Sequence, residues 1–539
     1  MTTYKRNCIF SILVLCTLLV TACSGPNRQS APSGSTNLLR VGSGAEPKSL
    51  DPHAVTGVTE DRLLSALFEG LVNMDLATLE PLPGAAAAWE MSEDGTEYTF
   101  HLREDAQWSN GETVTAHDFL YAWERILNPA FAAEYGYMLY PLLNAEAYNA
   151  GSLSDFSQVG AKAVDDHTLL ITLRAPTSYF LSLHVHYTWF PLNQKAVEAH
   201  GKTHERDTPW TRPGNLVSNG AYTLTDWIPN KHIKMQRNEH YWGRNDVSIS
   251  ELAFYPTQNP SVEERSFRAG DLDLTYTVPL TKIQTYQRND PQRIRIDPYL
   301  GTEFFRFNIT RPPFDDIRVR KAFGLALERD TLVKHVLKGG QIPALAFTPP
   351  GTAGYTSTYE TIFNPETARK LLAEAGYPGG SGFPSVELLY DTSDNNRLYV
   401  EAVQHLWKTH LGVEIHLVNQ DVKTWLANMI GLNYSIARSY WIGDYEDPGN
   451  FLEMFYTGSG NNRTGFSSPE YETLLREAAL TLDTTQRHAL YDQAEHILLE
   501  SGAIAPVYHH TRPYLVQPRV RNLQSNLLGR IDFKMIRLE

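Results

Sequence analysis

Asp444 stands in the stretch "ARSYWIGDYEDPG", residues 437 to 449, with Tyr440, Trp441, Ile442 and Tyr445 around it. A carboxylate in such company has four uses. It is a catalytic acid with a pKa raised by desolvation, a metal ligand, a fixed anion awaiting a cation, or part of a solvated turn. The turn draws on Glu446, Asp447, Pro448 and Gly449, which follow at once. Other candidates for chemistry are few. A zinc peptidase needs two histidines one helical turn apart with a glutamate between, and no His-Glu-x-x-His occurs. His184 and His186 would share a face if residues 181–187 formed a strand, but no third ligand is evident, so both are read as structural. His509-His510 is read the same way. No Gly-x-Ser-x-Gly elbow is present, and "AVEAHGKT" carries Ala196 where a phosphate loop needs its leading glycine. The pairs Glu93-Asp94, Asp165-Asp166 and Asp315-Asp316 are read as solvated turns and caps. No catalytic constellation emerges, and no metal or cofactor is expected.

The chain has 539 residues, past the size at which single cores stop growing, so two or three domains are expected. It is 42% hydrophobic, 20% charged and 11% aromatic, with 28 Tyr and 10 Trp, as suits a globular protein with ligand cavities or ordinary aromatic cores. The formal net charge is −14, and −16 without Lys5 and Arg6, so the surface repels phosphate backbones and nucleic acid is not an expected partner.

Lys5 and Arg6 precede an apolar run from Cys8 to Val20, too short for a comfortable membrane span and proportioned as an export signal. "LVTAC" resembles a bacterial lipobox, which implies cleavage after residue 22 and lipidation of Cys23. "SGPNRQSAPSGST" then reads as a flexible tether, 23–37 with its cysteine. All three cysteines (Cys8, Cys16, Cys23) lie in this segment, so the body of the chain has no thiol for catalysis, zinc or an internal disulfide.

The elements are mixed. Tyr98, Phe100 and Leu102 alternate with polar residues, the period of a half-buried strand. Thr115 and Asp118 have the spacing of a capping box, with Val114 and Phe119 as a staple, before a stripe of Phe119, Leu120, Trp123, Ile126 and Leu127 that ends at Asn128-Pro129. "NPETARKLLAEAGY" predicts a helix capped by Asn364, with Pro365 at its first position and Gly376 as terminator. Strands are predicted at 386–390 and 413–418, flanking a helix that holds Val403, Leu406 and Trp407. Strands alternating with helices predict a mixed α/β fold.

Long blocks then resemble one family. "AWEMSEDGTEYTFHLREDAQWSNGETVTAHDFLYAWERI" (88–126) is similar to the signature region of the peptide-binding proteins of ABC importers. "SLDPHAVTGVTEDRLLSALFEGLV" (49–72), "VSNGAYTLTDWIPNKHIKMQRNEHYW" (217–242), "PFDDIRVRKAFGLALERD" (313–330) and "AIAPVYHH" (503–510) resemble its oligopeptide-binding branch, extracellular solute-binding family 5. The resemblance implies a two-lobed, periplasmic-binding-protein-like fold of three domains with a hinge and a ligand cleft between the lobes. By position, one discontinuous domain would comprise 38–72, 198–300 and 512–539, a second 73–197, and the other lobe 301–511.

The resemblance further implies a lipid-anchored monomer that faces the periplasm or the outer side of the cytoplasmic membrane, binds short peptides without acting as an enzyme, and delivers them to the membrane subunits of an ABC permease. The peptide would add as a strand along backbone near Val58–Glu60 and Ser439–Ile442. Asp444 would pair with its α-ammonium, Tyr135, Tyr276, Tyr440 and Trp441 would line its pockets, Glu60 would meet basic side chains or water, and Arg438 would receive a carboxylate. Three family cations fall instead at Leu337, Asn396 and Met429, and a family disulfide near Gly301 and Ile442 has no cysteines here. Fewer cations leave open a receptor for murein peptides or other modified peptides. An exported hydrolase or a chaperone-like scaffold on the same fold would be the rival classes.

Overall fold

Tyr98, Phe100 and Leu102 do face inward from a strand, Glu97–Leu102, which pairs antiparallel with Ala86–Met91 and Thr168–Thr172. The structure is a computed structural model that describes residues 37–177 and 179–539. The predicted signal segment 1–22, the tether up to residue 36 and Cys23 lie outside the described residues. No helix among the described residues is long and apolar enough to cross a membrane.

Local chemistry explains the boundaries of several elements. Thr115 and Asp118 close the capping box of helix Ala116–Leu127, with Thr115 N–H donating to Asp118 Oδ2 at 2.7 Å. Val114 and Phe119 are buried together at that entry. Asn364 caps Pro365–Glu374, accepting from Thr367 N–H at 3.0 Å, and Gly376 follows with φ +99°, where a side chain would strain the backbone. Strands Val386–Asp391 and Ile415–Gln420 flank helix Asp394–Leu411, the second beginning two residues later than its sequence pattern predicts.

Three larger sheets organise the chain. Leu38–Gly44, Glu251–Pro256, His232–Arg237 and Tyr222–Ile228 form one of four strands, and Ala86–Met91, Glu97–Leu102, Thr168–Thr172 and Ala161–Asp165 form another. A six-stranded mixed sheet runs in the order Ile342–Pro343, Ile504–Leu515, Ile294–Phe307, Ile436–Ile442, Val386–Asp391, Ile415–Gln420. Its two longest members, of 14 and 12 residues, form an antiparallel ribbon. The register of that ribbon shifts between Pro298 and Thr302, a bulge that bends it. Short of the bulge, Thr275 joins the ribbon to the N-terminal body, its N–H donating to Leu515 O and its hydroxyl accepting from Leu515 N–H. Beyond the bulge the ribbon becomes the centre of the six-stranded sheet. The fold is therefore mixed α/β, in two lobes that face each other across a cleft.

Two readings of local sequence are corrected here. Residues 181–187 are not a strand: Phe180–Leu183 is a short helix and Tyr187–Trp189 a 3-10 turn. His184 is buried against Phe100, Phe180 and Trp189, whereas His186 points elsewhere. Asp447 is not in a solvated turn. It is buried, and Arg487 Nη2 donates to its Oδ2 at 2.5 Å, which offsets the cost of taking the carboxylate out of water. The acidic pairs fit their prediction better: Asp94 and Asp165 brace turns and Asp316 caps helix Ile317–Leu325.

His184 carries a pH prediction. Burial alone holds its ring far below the ordinary value, at about 3, and neither ring nitrogen has a hydrogen-bond partner among the described residues. The unfolded chain binds that proton near pH 6.5 and the folded chain does not until about 3. Stability contributed by the neutral ring is thus lost as pH falls from 6.5 towards 3. His184→Phe should flatten the acid limb of stability against pH by up to ~1.4 kcal/mol per pH unit. Denaturant titrations at pH 4 to 6.5 read the slope directly, and an unchanged slope refutes the assignment.

Candidate functional site

The cleft encloses a cavity of about 560 Å³, within the usual range for a small-molecule or peptide site. Asp444 lines it, with its side chain 16% exposed. The strand Ile436–Ile442 delivers it: Gly301 to Phe307 pair with that strand along one edge, and Gly443 N–H donates to Leu300 O at 2.7 Å to carry the chain on to Asp444. Asn450 then locks the turn. Its Oδ1 accepts from Asp444 N–H at 3.1 Å and from Trp441 Nε1–H at 3.0 Å.

Residues distant in sequence supply the rest of the surroundings. His186 Nε2 lies 3.5 Å from Asp444 Oδ1, and His186 Nδ1 meets Thr188 Oγ1 at 2.9 Å. Tyr135, Tyr137 and Tyr187 are close enough for the carboxylate to raise their phenol pKa values, adding to the larger effect of burial. Tyr135 also stands edge-on to Trp441 at 6.3 Å. A carboxylate here faces rings, one imidazole and the cavity. It is placed to meet a cation that enters.

The strand beside it is open on its second edge. Of this strand, Val386–Asp391 meets only Ile436 and Ala437, so among the described residues Arg438 to Ile442 have no strand neighbour on that side. Unpaired main-chain groups along a cavity wall are a template for an added strand. The other backbone segment is corrected by the structure. Val58–Glu60 is not extended but is the first turn of helix Val58–Leu67, and extended backbone ends at Gly57. Its leading N–H groups are those a helix leaves unbonded. At Gly57 a Cβ would come within 2.1 Å of Glu60 Oε2, so a side chain there would displace the Glu60 carboxylate.

Each remaining predicted residue lines the cavity, and their states differ. Glu60 is only 8% exposed; its Oε1 accepts from Lys48 N–H at 2.7 Å, and burial raises its pKa. Tyr276 is half-buried beneath the Arg62 guanidinium, and Tyr440 stacks parallel to Trp425. Arg438 is the largest departure from expectation. Its Nη1 donates to Asp391 at 2.6 Å and its Nη2 to Glu303 at 2.8 Å, so two carboxylates already compensate its charge. Glu303 also lies 3.4 Å from His510 Nε2. Leu337, Asn396 and Met429, where the resemblance expects cations, do line the same cavity. Gly301 and Ile442 are paired in register, so the strands meet there without a disulfide. His186, read in sequence as structural, and Tyr137 and Tyr187, missed there, lie more than 250 residues from Asp444 and carry no motif that ties them to it.

Across residues 80–463 the chain matches the family model described as bacterial extracellular solute-binding proteins, family 5 Middle. It is 38% identical over 485 residues, 88% of each chain, to the periplasmic oligopeptide-binding protein OppA of Escherichia coli. Among solved structures, Haemophilus influenzae OppA in complex with RPPGFSPFR aligns with a TM-score of 0.87 at 33% identity, covering 94% of this chain and 99% of that one. The murein tripeptide binding protein MppA of Escherichia coli aligns at 0.88 and 33% identity over 93% and 98% of the two chains. The unliganded open form of MppA reaches only 0.64 over a similar span, so the present lobes do not stand apart as that form's do. Sequence, fold and cleft agree, and the chain belongs to the bacterial extracellular solute-binding proteins of family 5.

Proposed function

We propose that this chain is an extracytoplasmic receptor that captures short peptides and delivers them to an ABC permease, acting as a monomer and without catalysis. The observation that carries this reading is Asp444 at the end of an open strand edge inside the cleft. The guest's main chain adds to the edge at Arg438 to Ile442, and its α-ammonium meets Asp444. A buried ammonium without a partner is costly, and a charge-assisted hydrogen bond offsets that desolvation. Main-chain bonding ignores side-chain identity, so one receptor accepts many sequences, with Tyr135, Tyr276, Tyr440 and Trp441 as pocket walls and Glu60 beside structured water. We place the lobe boundary at residues 300/301 and 511/512, a reading supported by the bulge in the ribbon at Pro298 to Thr302. That divides the chain into 38–72 with 198–300 and 512–539, then 73–197, then 301–511. The lipobox-like "LVTAC" supports an acylated Cys23 that tethers the receptor to a membrane.

One experiment reads both claims. Mass spectrometry of the protein purified from its own membrane fraction should release short peptides with free amino termini and show acyl mass on a chain that begins at Cys23. Ligands without an amino group would overturn the clamp, and an unacylated chain would overturn the anchor.

A further inference from the structure

Two other arginines reach the cavity and differ from Arg438. Arg62 comes from helix Val58–Leu67 and Arg512 from strand Ile504–Leu515, and they are 5% and 7% exposed. Nε and Nη1 of Arg62 and Nε of Arg512 are buried without a hydrogen-bond partner among the described residues. Arg62 lies over the ring of Tyr276 at 4.6 Å, and Arg512 over that of Tyr514 at 4.6 Å. Arg512 Nη1 has a protein partner, Gly529 O at 3.0 Å, where φ is +63° and a Cβ would strike the Tyr299 ring at 2.4 Å. Burial, and then the charge of Arg62, hold Arg512 below its ordinary value, at about 10.

The carboxylates nearby are engaged elsewhere. Asp297 accepts from the Tyr514 hydroxyl at 2.8 Å, Glu263 from the N–H groups of Tyr276 and Thr277, and Asp61 faces Arg530 at 3.3 Å. The cavity's other buried arginines are also occupied: Arg463 by Glu134, and Arg306 by Ser439 Oγ and two carbonyls. Two neighbouring buried guanidinia with open donors repel each other and leave N–H groups without acceptors, an arrangement that an anion would relieve.

We propose that Arg62 and Arg512 form an anion subsite that receives a carboxylate of the bound peptide. The proposal rests on the peptide reading above and adds a specificity to it. Planar guanidinium forks match a carboxylate, and the pair supplies the positive charge that Leu337, Asn396 and Met429 do not. The carboxylate is either the peptide's C-terminus or an acidic side chain, and one ligand series separates these sources.

Calorimetry on the full chain would compare four ligands: trialanine, its C-terminal amide, Ala-Glu-Ala amide, and N-acetyl-trialanine. Trialanine or Ala-Glu-Ala amide should bind wild type about tenfold or more tighter than trialanine amide, the first marking a terminal carboxylate and the second a side-chain one. Arg62→Gln and Arg512→Gln should each abolish most of that preference, while the preference for trialanine over its N-acetyl form persists. Equal binding of the neutral amide and both carboxylate-bearing ligands to wild type overturns the subsite and leaves the Asp444 clamp standing. Equal binding of trialanine and its acetylated form overturns the clamp instead. The wild-type comparison decides the matter even if a substitution prevents folding.

Discussion

Asp444→Ala should cost a free tripeptide about 2–5 kcal/mol of binding free energy, the range for truncating one partner of a buried charge pair. The same substitution should barely alter the binding of an N-acetylated peptide, which brings no ammonium and should bind wild type poorly. The size of the effect follows from how firmly Asp444 is held. Asn450 accepts from its N–H, Trp441 is tied to the same amide oxygen, and the carboxylate faces the cavity with His186 3.5 Å away. Little of the group's position is left to be fixed when the peptide arrives, so little binding energy goes into ordering it. Asp444→Asn keeps the shape and removes the charge, and should lose most of the same energy. Titration of each protein with the free and acetylated forms separates charge from shape. Equal affinity of wild type for both forms would refute the clamp.

The second large effect concerns Arg438, and it is an effect on folding. Arg438 is bonded to Glu303 and Asp391, and Glu303 is wholly buried. Arg438→Ala leaves those carboxylates without their cation and should destabilise the protein by about 3–5 kcal/mol, as removal of one partner of a buried pair does. Replacing Arg438 and Glu303 together by glutamine should cost less than Arg438→Ala alone, because no charge is stranded against Glu303. Denaturant unfolding of the single and double variants measures both. If Arg438→Ala keeps wild-type stability and only weakens peptide binding, Arg438 belongs to the ligand and not to the fold.

Local signals were legible in sequence where their physics is local. The capping box at Thr115 and Asp118, the Asn364-Pro365 helix start and the alternation at Tyr98 to Leu102 each involve residues within one turn or one strand, and each appears where predicted. Asp444 stood out because aromatic neighbours in sequence hinted at a dry setting. The fate of Asp447 could not be read that way. Its neighbours Pro448 and Gly449 spell a turn, but the cation that lets it be buried comes from Arg487, 40 positions on. Arg438 is the same case at greater range, since Glu303 lies 135 positions away and Asp391 lies 47. Arg62 and Arg512 gave no signal at all, because what distinguishes them is a missing partner, and only packing tells which groups go without.

The bent ribbon of Ile294–Phe307 and Ile504–Leu515 has a mechanical consequence. With the boundaries proposed above, these hydrogen-bonded strands are the only covalent crossings between the two halves among the described residues. Sliding one half past the other would break ladder bonds, whereas flexing the ribbon at its irregular point breaks few. On those proposed boundaries the halves would swing about the irregular point rather than slide, and a partner that parts them for unloading would have to push about that axis.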